Sequence, residues 1–470
     1  MEDHNVSTKQ LNKQLLMRNI KMKRTKERND STQQLNKQLL PRHIRMIAIG
    51  GVIGTGIFKG SADTVSLAGP GVIFSYLFAG LLLLVVMGAL AEMAIAYPSH
   101  NMKDLIEKAL GKRFSFIVGS TYCFMWLTVS AIEVIAAGSF LQYWFKGIPL
   151  WVLCLICSLV LILINSSSVK AFGEIEFWFA GIKIMVIIVF ILAGIIILFG
   201  IAPTENSHSY MHNYANFIPN GWNAVFSTLL VVMFSYGGSE LIGLTITETK
   251  NAEQVLPGIV RGVMWRIILF YTLPILIICG LIPWDKIDAN ASPFVQVFET
   301  VGMQGASHLI NFILLTAVLS AANSGIYGST RMLFSLSKSG DIPKRLSYLN
   351  KKGVPIYSLL FSVVFLLLGT FIVYLYPDKA FNYLLAIPGF AVSMTWISIC
   401  LAQLKLRRTY KQEPHFKLWG FPYVTIFTLL ALTTSFIFFL ISPTNRLSSF
   451  VCIIFLLLIT ISSFFTKRKV

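Results

Sequence analysis

The chain has 470 residues, 55% of them hydrophobic and only 13% charged, with a formal net charge of +18. Soluble domains carry about 25% charged residues, so a soluble globular protein is excluded and a chain that crosses a bilayer many times is expected. The six cysteines are scattered through apolar segments; Cys154 and Cys157 form a CxxC with no His or Asp beside it, and packing rather than redox or metal chemistry is expected of them.

The chain begins with a basic polar stretch, residues 1–43, which contains a duplication. Ser7–Ile20, "STKQLNKQLLMRNI", recurs at Ser31–Ile44 as "STQQLNKQLLPRHI". Its composition predicts a largely disordered tail, available to anionic lipid or a regulatory partner. The first 40 residues hold no apolar run, which argues against a cleavable leader. Spanning segments of about 20 apolar residues are then predicted at 44–66, 72–96, 115–144, 149–165, 177–201, 221–246, 264–283, 307–336, 356–376, 381–404, 420–441 and 447–465. None alternates with period two, so the expected class is an all-α polytopic membrane protein with twelve spans. Residues 44–404 would then form a ten-span core, and 405–470 would add two spans and a short basic end.

Basic residues test this count. With the N-terminus inside, 33 of the 39 Lys and Arg fall in cytoplasmic segments. Five fall outside, no more than one per connection (Lys59, Lys146, Lys286, Lys379, Arg446), and Lys183 lies within span five. This is the positive-inside pattern. It accounts for the net charge without nucleic acid and predicts a multi-pass protein of the cell membrane with both termini cytoplasmic.

Span one contains "GGVIGTG", four glycines in seven residues. A phosphate loop needs a preceding strand and a closing Gly-Lys-Ser/Thr, and neither is present. Glycine weakens a helix by about 1 kcal/mol per residue, so a helix break or close packing is expected. A second weak point, "FSYGGSE" (Phe234–Glu240), lies in span six. Paired interruptions in two halves point to an inverted-repeat transporter, because open backbone at membrane depth is tolerated only where it lines a cavity. The half-helix after the first break offers N–H groups to a carboxylate. The half-helix before the second offers carbonyls to an ammonium. Together they fit an α-amino acid, and other small charged solutes as well.

Charges at membrane depth are candidates for function. Glu133 in span three is expected to meet substrate or a coupling proton. Lys183 is expected to take part in coupling, and Glu240 follows the second break. Glu248 is placed at an inner gate, and Glu92 is given a structural role, capping or holding span one. All seven histidines lie in tails, loops or span ends. No Ser-His-Asp arrangement is seen, so neither an enzyme nor a resident metal or cofactor is expected.

Several blocks, taken in order, carry a resemblance: "IAIGGVIGTGIFKGS" with "AGPG", "EMAIAYP", "EFWFAGIKI", "FSYGGSELIGLTITETKN", "WRIILFY" and "LTAVLSAANSGIYGSTRMLFSLSKSGDIPKRLSYLNKKGVP". The chain resembles the amino acid permeases of the amino acid–polyamine–organocation superfamily, in the bacterial branch that handles lysine, arginine, proline and aromatic amino acids. The resemblance implies five-plus-five inverted repeats with helices one and six broken, two extra C-terminal helices, and proton-driven uptake of amino acids. It implies carboxylate binding by the N–H groups of Gly54, Thr55 and Gly56. Ammonium binding would fall to the carbonyls of Ile53 and of Phe234, Ser235, Tyr236 and Gly237. Phe234 falls at an aromatic gate and Asn323 near the pocket. Lys183 falls where sodium-coupled relatives hold a cation, which points to protons. The stretch "SAIEVIAAGSFLQYWF" resembles arginine and ornithine permeases, so a cationic substrate is expected; a neutral or broad carrier, an exchanger and a transporter-like nutrient sensor are the alternatives.

Overall fold

A computed structural model describes residues 40–465 except 51, 167–168, 201–209, 246–251, 289–290, 301–303, 351, 378–379, 411–412 and 442–445. The duplicated tail up to residue 39, and Glu248, lie outside the described residues. The described residues are helical, and the only bridge among them is the isolated pair Leu349–Pro355.

The first expected span appears in pieces: α1 (Pro41–Gly50), α2 (Thr55–Phe58) and α3 (Gly60–Ala68). After α4 (Val72–Ala96) comes the short α5 (Met102–Leu110), started by a capping box between Asn101 and Asp104. Next come α6 (Lys112–Gln142), α7 (Leu150–Asn165) and α8 (Val169–Leu198). The second expected break falls between α9 (Gly221–Tyr236) and α10 (Ile242–Thr245), joined by a 3-10 turn at Ser239–Leu241. There follow α11 (Ala252–Gly258), α12 (Met264–Leu281), α13 (Pro293–Thr300), α14 (Gln304–Lys338), α15 (Ile356–Leu375), α16 (Ala380–Leu406), α17 (Tyr423–Ile441) and α18 (Arg446–Phe465). Among the described residues, eight helices are long and apolar enough to cross a membrane, and three shorter apolar helices lie at Leu150–Asn165, Trp265–Leu281 and Ser449–Phe464.

The longest helices, α6 and α14, pack along each other and form the middle of the bundle. In its most apolar window α6 is 83% buried, whereas α17 is only 22% buried. The C-terminal pair is therefore peripheral and turns Tyr423, Leu430 and Leu458 outward. Such a surface suits lipid, where apolar side chains need no cover.

Two buried ionic clusters fix the ends of these helices. Lys103 on α5 is buried and reaches Asp341 (3.2 Å), Glu107 (3.0 Å) and Ser339 (2.8 Å), which ties α5 to the segment after α14. Glu92, near the end of α4, does not hold the first span as expected. Its carboxylate accepts from Gln403 Nε2 (3.1 Å), Arg407 Nη1 (3.1 Å) and the Leu418 N–H (2.7 Å), and so anchors the α16–α17 connection.

Candidate functional site

The two helix breaks lie against each other. A methyl group added to Gly56 would stand 2.6 Å from Ser235 Cα, so only glycine permits this approach. Between α9 and α10 the backbone turns at Gly238, whose φ of +110° is unfavourable for other residues. The Tyr271 hydroxyl on α12 straps the breaks together, 2.7 Å from Val52 O on one side and 2.7 Å from Ser235 O on the other. It has one proton for two carbonyls, which breaking the helices left without intrahelical donors.

A narrow cavity opens between the breaks. Gly54, Gly56, Phe234, Ser235, Gly237 and Glu133, all named in the sequence analysis, line it. Its remaining walls are Val52, Met125, Trp126, Val129, Gly238, Ala321 and Val392. Trp126, Val129 and Glu133 stand at helical spacing on α6, which puts them on one face. Expectation did not extend to that face beyond Glu133, although the spacing from Glu133 was readable.

Glu133 has a specific partner. Its two oxygens accept from the Thr55 N–H at 3.0 and 3.2 Å, and one accepts from the Thr55 hydroxyl at 2.9 Å. A carboxylate therefore sits on the first N–H of α2, and it belongs to the protein. Unpaired N–H groups at a helix start favour such an anion. The carboxylate lies so close to Gly54 that a methyl group there would come 2.5 Å from Glu133 Oε1.

Other expected residues take positions around the cavity without lining it. Thr55 is turned to Glu133. Ile53 is buried and its N–H lies 3.4 Å from Ile49 O. Tyr236 donates its hydroxyl to Tyr76 O. Glu240 closes the second break from inside: one oxygen accepts from the Gly238 N–H at 3.1 Å and the other faces Trp396 Nε1 at 3.4 Å. Asn323 is buried on α14, where its side-chain oxygen accepts from Asn165 at 2.7 Å.

Lys183 reaches the first break from behind. Its ammonium donates to Gly50 O at 2.7 Å, the last carbonyl of α1. A cation there complements the negative end of the helix. Glu176, seven residues earlier on α8, is also fully buried and lies 4.0 Å from Lys183. It stands just before the predicted start of span five, so it was not counted among the charges at membrane depth. Its presence with Lys183 in "EFWFAGIKI" was the available signal. Likewise Tyr271 closes the quoted block "WRIILFY".

A family model for amino acid permeases matches residues 43–470. The uncharacterized amino acid permease YvbW of Bacillus subtilis is 40% identical over 90% of this chain and 96% of its own length. The γ-aminobutyric acid permease of the same species is 39% identical over 82% of this chain and 84% of its own. The aromatic amino acid transport protein AroP of Escherichia coli O6:H1 is 34% identical over 90% and 94%. These relatives are named as permeases and transport proteins. With its apolar helices and its interlocked breaks, the chain is a multi-pass membrane protein that belongs to the amino acid permease family, within the amino acid–polyamine–organocation superfamily.

Proposed function

We propose that this protein imports α-amino acids across the cytoplasmic membrane in symport with protons. Its scaffold would be twelve spans, ten of them in two inverted repeats, with both termini in the cytoplasm. The observation that carries this reading is the Glu133 carboxylate seated on Thr55. A place that holds one carboxylate through N–H groups suits another. In this reading the substrate carboxylate takes the N–H groups of Gly54, Thr55 and Gly56 and displaces Glu133. The α-ammonium meets the carbonyls of Ile53 and of the Phe234–Gly237 turn. The side chain enters the wall of Met125, Trp126, Val129, Phe234 and Val392. Displaced into an apolar cavity, Glu133 takes up a proton, because an unpaired buried carboxylate is costly. Substrate and proton then bind together. Lys183 holds the end of α1 through Gly50 O as long as it is charged.

The wall composition favours a neutral amino acid with an apolar or aromatic side chain. The name of one relative, for aromatic amino acids, supports the same choice, and that of another, for γ-aminobutyric acid, supports a substrate without net charge. A cationic substrate is the second reading, favoured by Glu133 as the ionisable side chain of the cavity lining. It requires Glu133 to leave Thr55 for the substrate's side chain. Purified protein in liposomes, offered labelled phenylalanine, leucine, proline, γ-aminobutyric acid, arginine and lysine under an imposed proton gradient, decides among these. Accumulation of a neutral member supports the first reading, and of arginine or lysine alone the second. No accumulation of any removes both.

A further inference from the structure

The cavity leaves two buried charges unexplained as a pair. Lys183 and Glu176 are fully buried and stand two turns apart on one face of α8. Lys183 has a good partner in Gly50 O. Glu176 has a poor set. Its one close donor is the hydroxyl of Ser320, at 2.9 and 2.8 Å from its two oxygens, and the ammonium is 4.0 Å away.

Asn323 and Ser324 are further donors to the same carboxyl. Asn323 Nδ2 and Ser324 Oγ are fully buried and make no well-formed hydrogen bond. Ser320, Asn323 and Ser324 stand at i, i+3 and i+4 on α14, and so share a face. The Glu176 carboxyl thus has an ammonium 4.0 Å away and a loose set of side-chain donors around it, and is free to shift between them. The surrounding elements add little charge. From α6 comes Glu133, committed to Thr55; from α7, Asn165, bonded to Asn323; from α1, the Gly50 carbonyl. Glu176 also lies two turns nearer than Lys183 to the end of α8 where Arg42 (2.6 Å) and His43 (3.1 Å) meet Glu174.

Resting on the proposed proton symport, with Lys183 as the relay for the proton that Glu133 takes up, we propose that Glu176 is the residue through which the proton leaves Lys183. The carboxyl swings by about 1 Å to reach hydrogen-bond distance of Nζ. The N–H bond breaks and an O–H bond forms on Glu176, turning ammonium and carboxylate into amine and carboxylic acid. No net charge appears in the bilayer. Gly50 O loses its charged donor, which frees the end of α1. The acid turns to Asn323 and Ser324 and passes its proton to water at the Arg42–Glu174 end of the helix. Glu176 returns as a carboxylate, and the Lys183 amine is recharged by the proton that Glu133 took up with the substrate, so the pair ends as it began.

The test compares net transport with exchange. Liposomes carry wild-type protein, Glu176→Gln or Glu176→Asp, and the probe is whichever amino acid of the six-member panel the wild type accumulates most. Net accumulation needs the proton to be released in each cycle, whereas exchange of labelled for unlabelled amino acid does not. Glu176→Gln is expected to lose at least tenfold in gradient-driven accumulation and less than threefold in exchange. Glu176→Asp should restore part of the accumulation with a displaced pH profile. Accumulation by Glu176→Gln at wild-type level and with the wild-type pH profile overturns the proposal. So does equal loss of accumulation and exchange in both variants, which assigns Glu176 to structure alone. Failure of the wild type to accumulate any panel member overturns the parent reading instead, and the two failures are thereby distinct.

Discussion

Replacing Glu133 by Gln tests whether the protein's own carboxylate competes with the substrate. In the structure Glu133 receives three contacts from Thr55, between 2.9 and 3.2 Å. An amide keeps one acceptor oxygen, and its NH₂ would face a donor. The substitution therefore removes at least one charge-assisted hydrogen bond, a loss of about 1.5–3 kcal/mol. If the substrate carboxylate must displace Glu133 to reach Thr55, that loss becomes a gain for the ligand. Since 1.4 kcal/mol is about a factor of ten, binding of a neutral substrate should tighten roughly 10- to 100-fold. Gradient-driven accumulation should fall, because the amide cannot take up the proton. Isothermal titration or a scintillation binding assay on purified protein reads the first effect, and liposome uptake the second. Weaker binding of neutral amino acids by Glu133→Gln would refute the competition. Weaker binding of arginine and lysine alone would move the assignment to a cationic substrate.

The same linkage predicts that substrate affinity rises as pH falls in the wild type, because binding takes up a proton, and that Glu133→Gln flattens this dependence; titrations at several pH values check it. Gly56→Ala should abolish uptake, since the added methyl would stand 2.6 Å from the backbone of Ser235 and overpacking costs about 1–3 kcal/mol; uptake rate and thermal unfolding report it together. Tyr271→Phe leaves Val52 O and Ser235 O without their shared donor, and should cost about 1–3 kcal/mol, seen as a lower unfolding temperature and slower uptake. Asp341→Ala strips the buried Lys103 of one of its two carboxylates and leaves it Glu107, so the cost is that of one charged contact, about 1.5–3 kcal/mol; loss of monodisperse protein on heating, with no change in the identity of the transported amino acid, is the expected result.

The features that could be read from sequence are those set by local chemistry. "GGVIGTG" and "FSYGGSE" announced their breaks because dense glycine undermines a helix wherever it occurs. The depth of Glu133 and Lys183 in apolar runs marked them for the same local reason. What stayed hidden depends on how helices rotate and cross. That Glu133 would choose Thr55, seventy-eight residues earlier, follows from the packing of α6 against the first break, which no pattern within α6 encodes. Asn323 shares its helix with the cavity-lining Ala321, but two residues on an α-helix amount to about 200° of rotation; it therefore faces Asn165. Glu176 was missed because a predicted span boundary fell one residue after it. Tyr271 was missed because a tyrosine in an apolar run gives no sign that its hydroxyl will serve two broken helices.

The central claim is that a substrate carboxylate and Glu133 compete for the same N–H groups. A structure of the protein bound to the amino acid it accumulates tests this most directly. The account predicts the substrate carboxylate on the Thr55 N–H and the Glu133 side chain moved off it. An amino acid seated elsewhere, with Glu133 still 3.0 Å from Thr55 N, would contradict it.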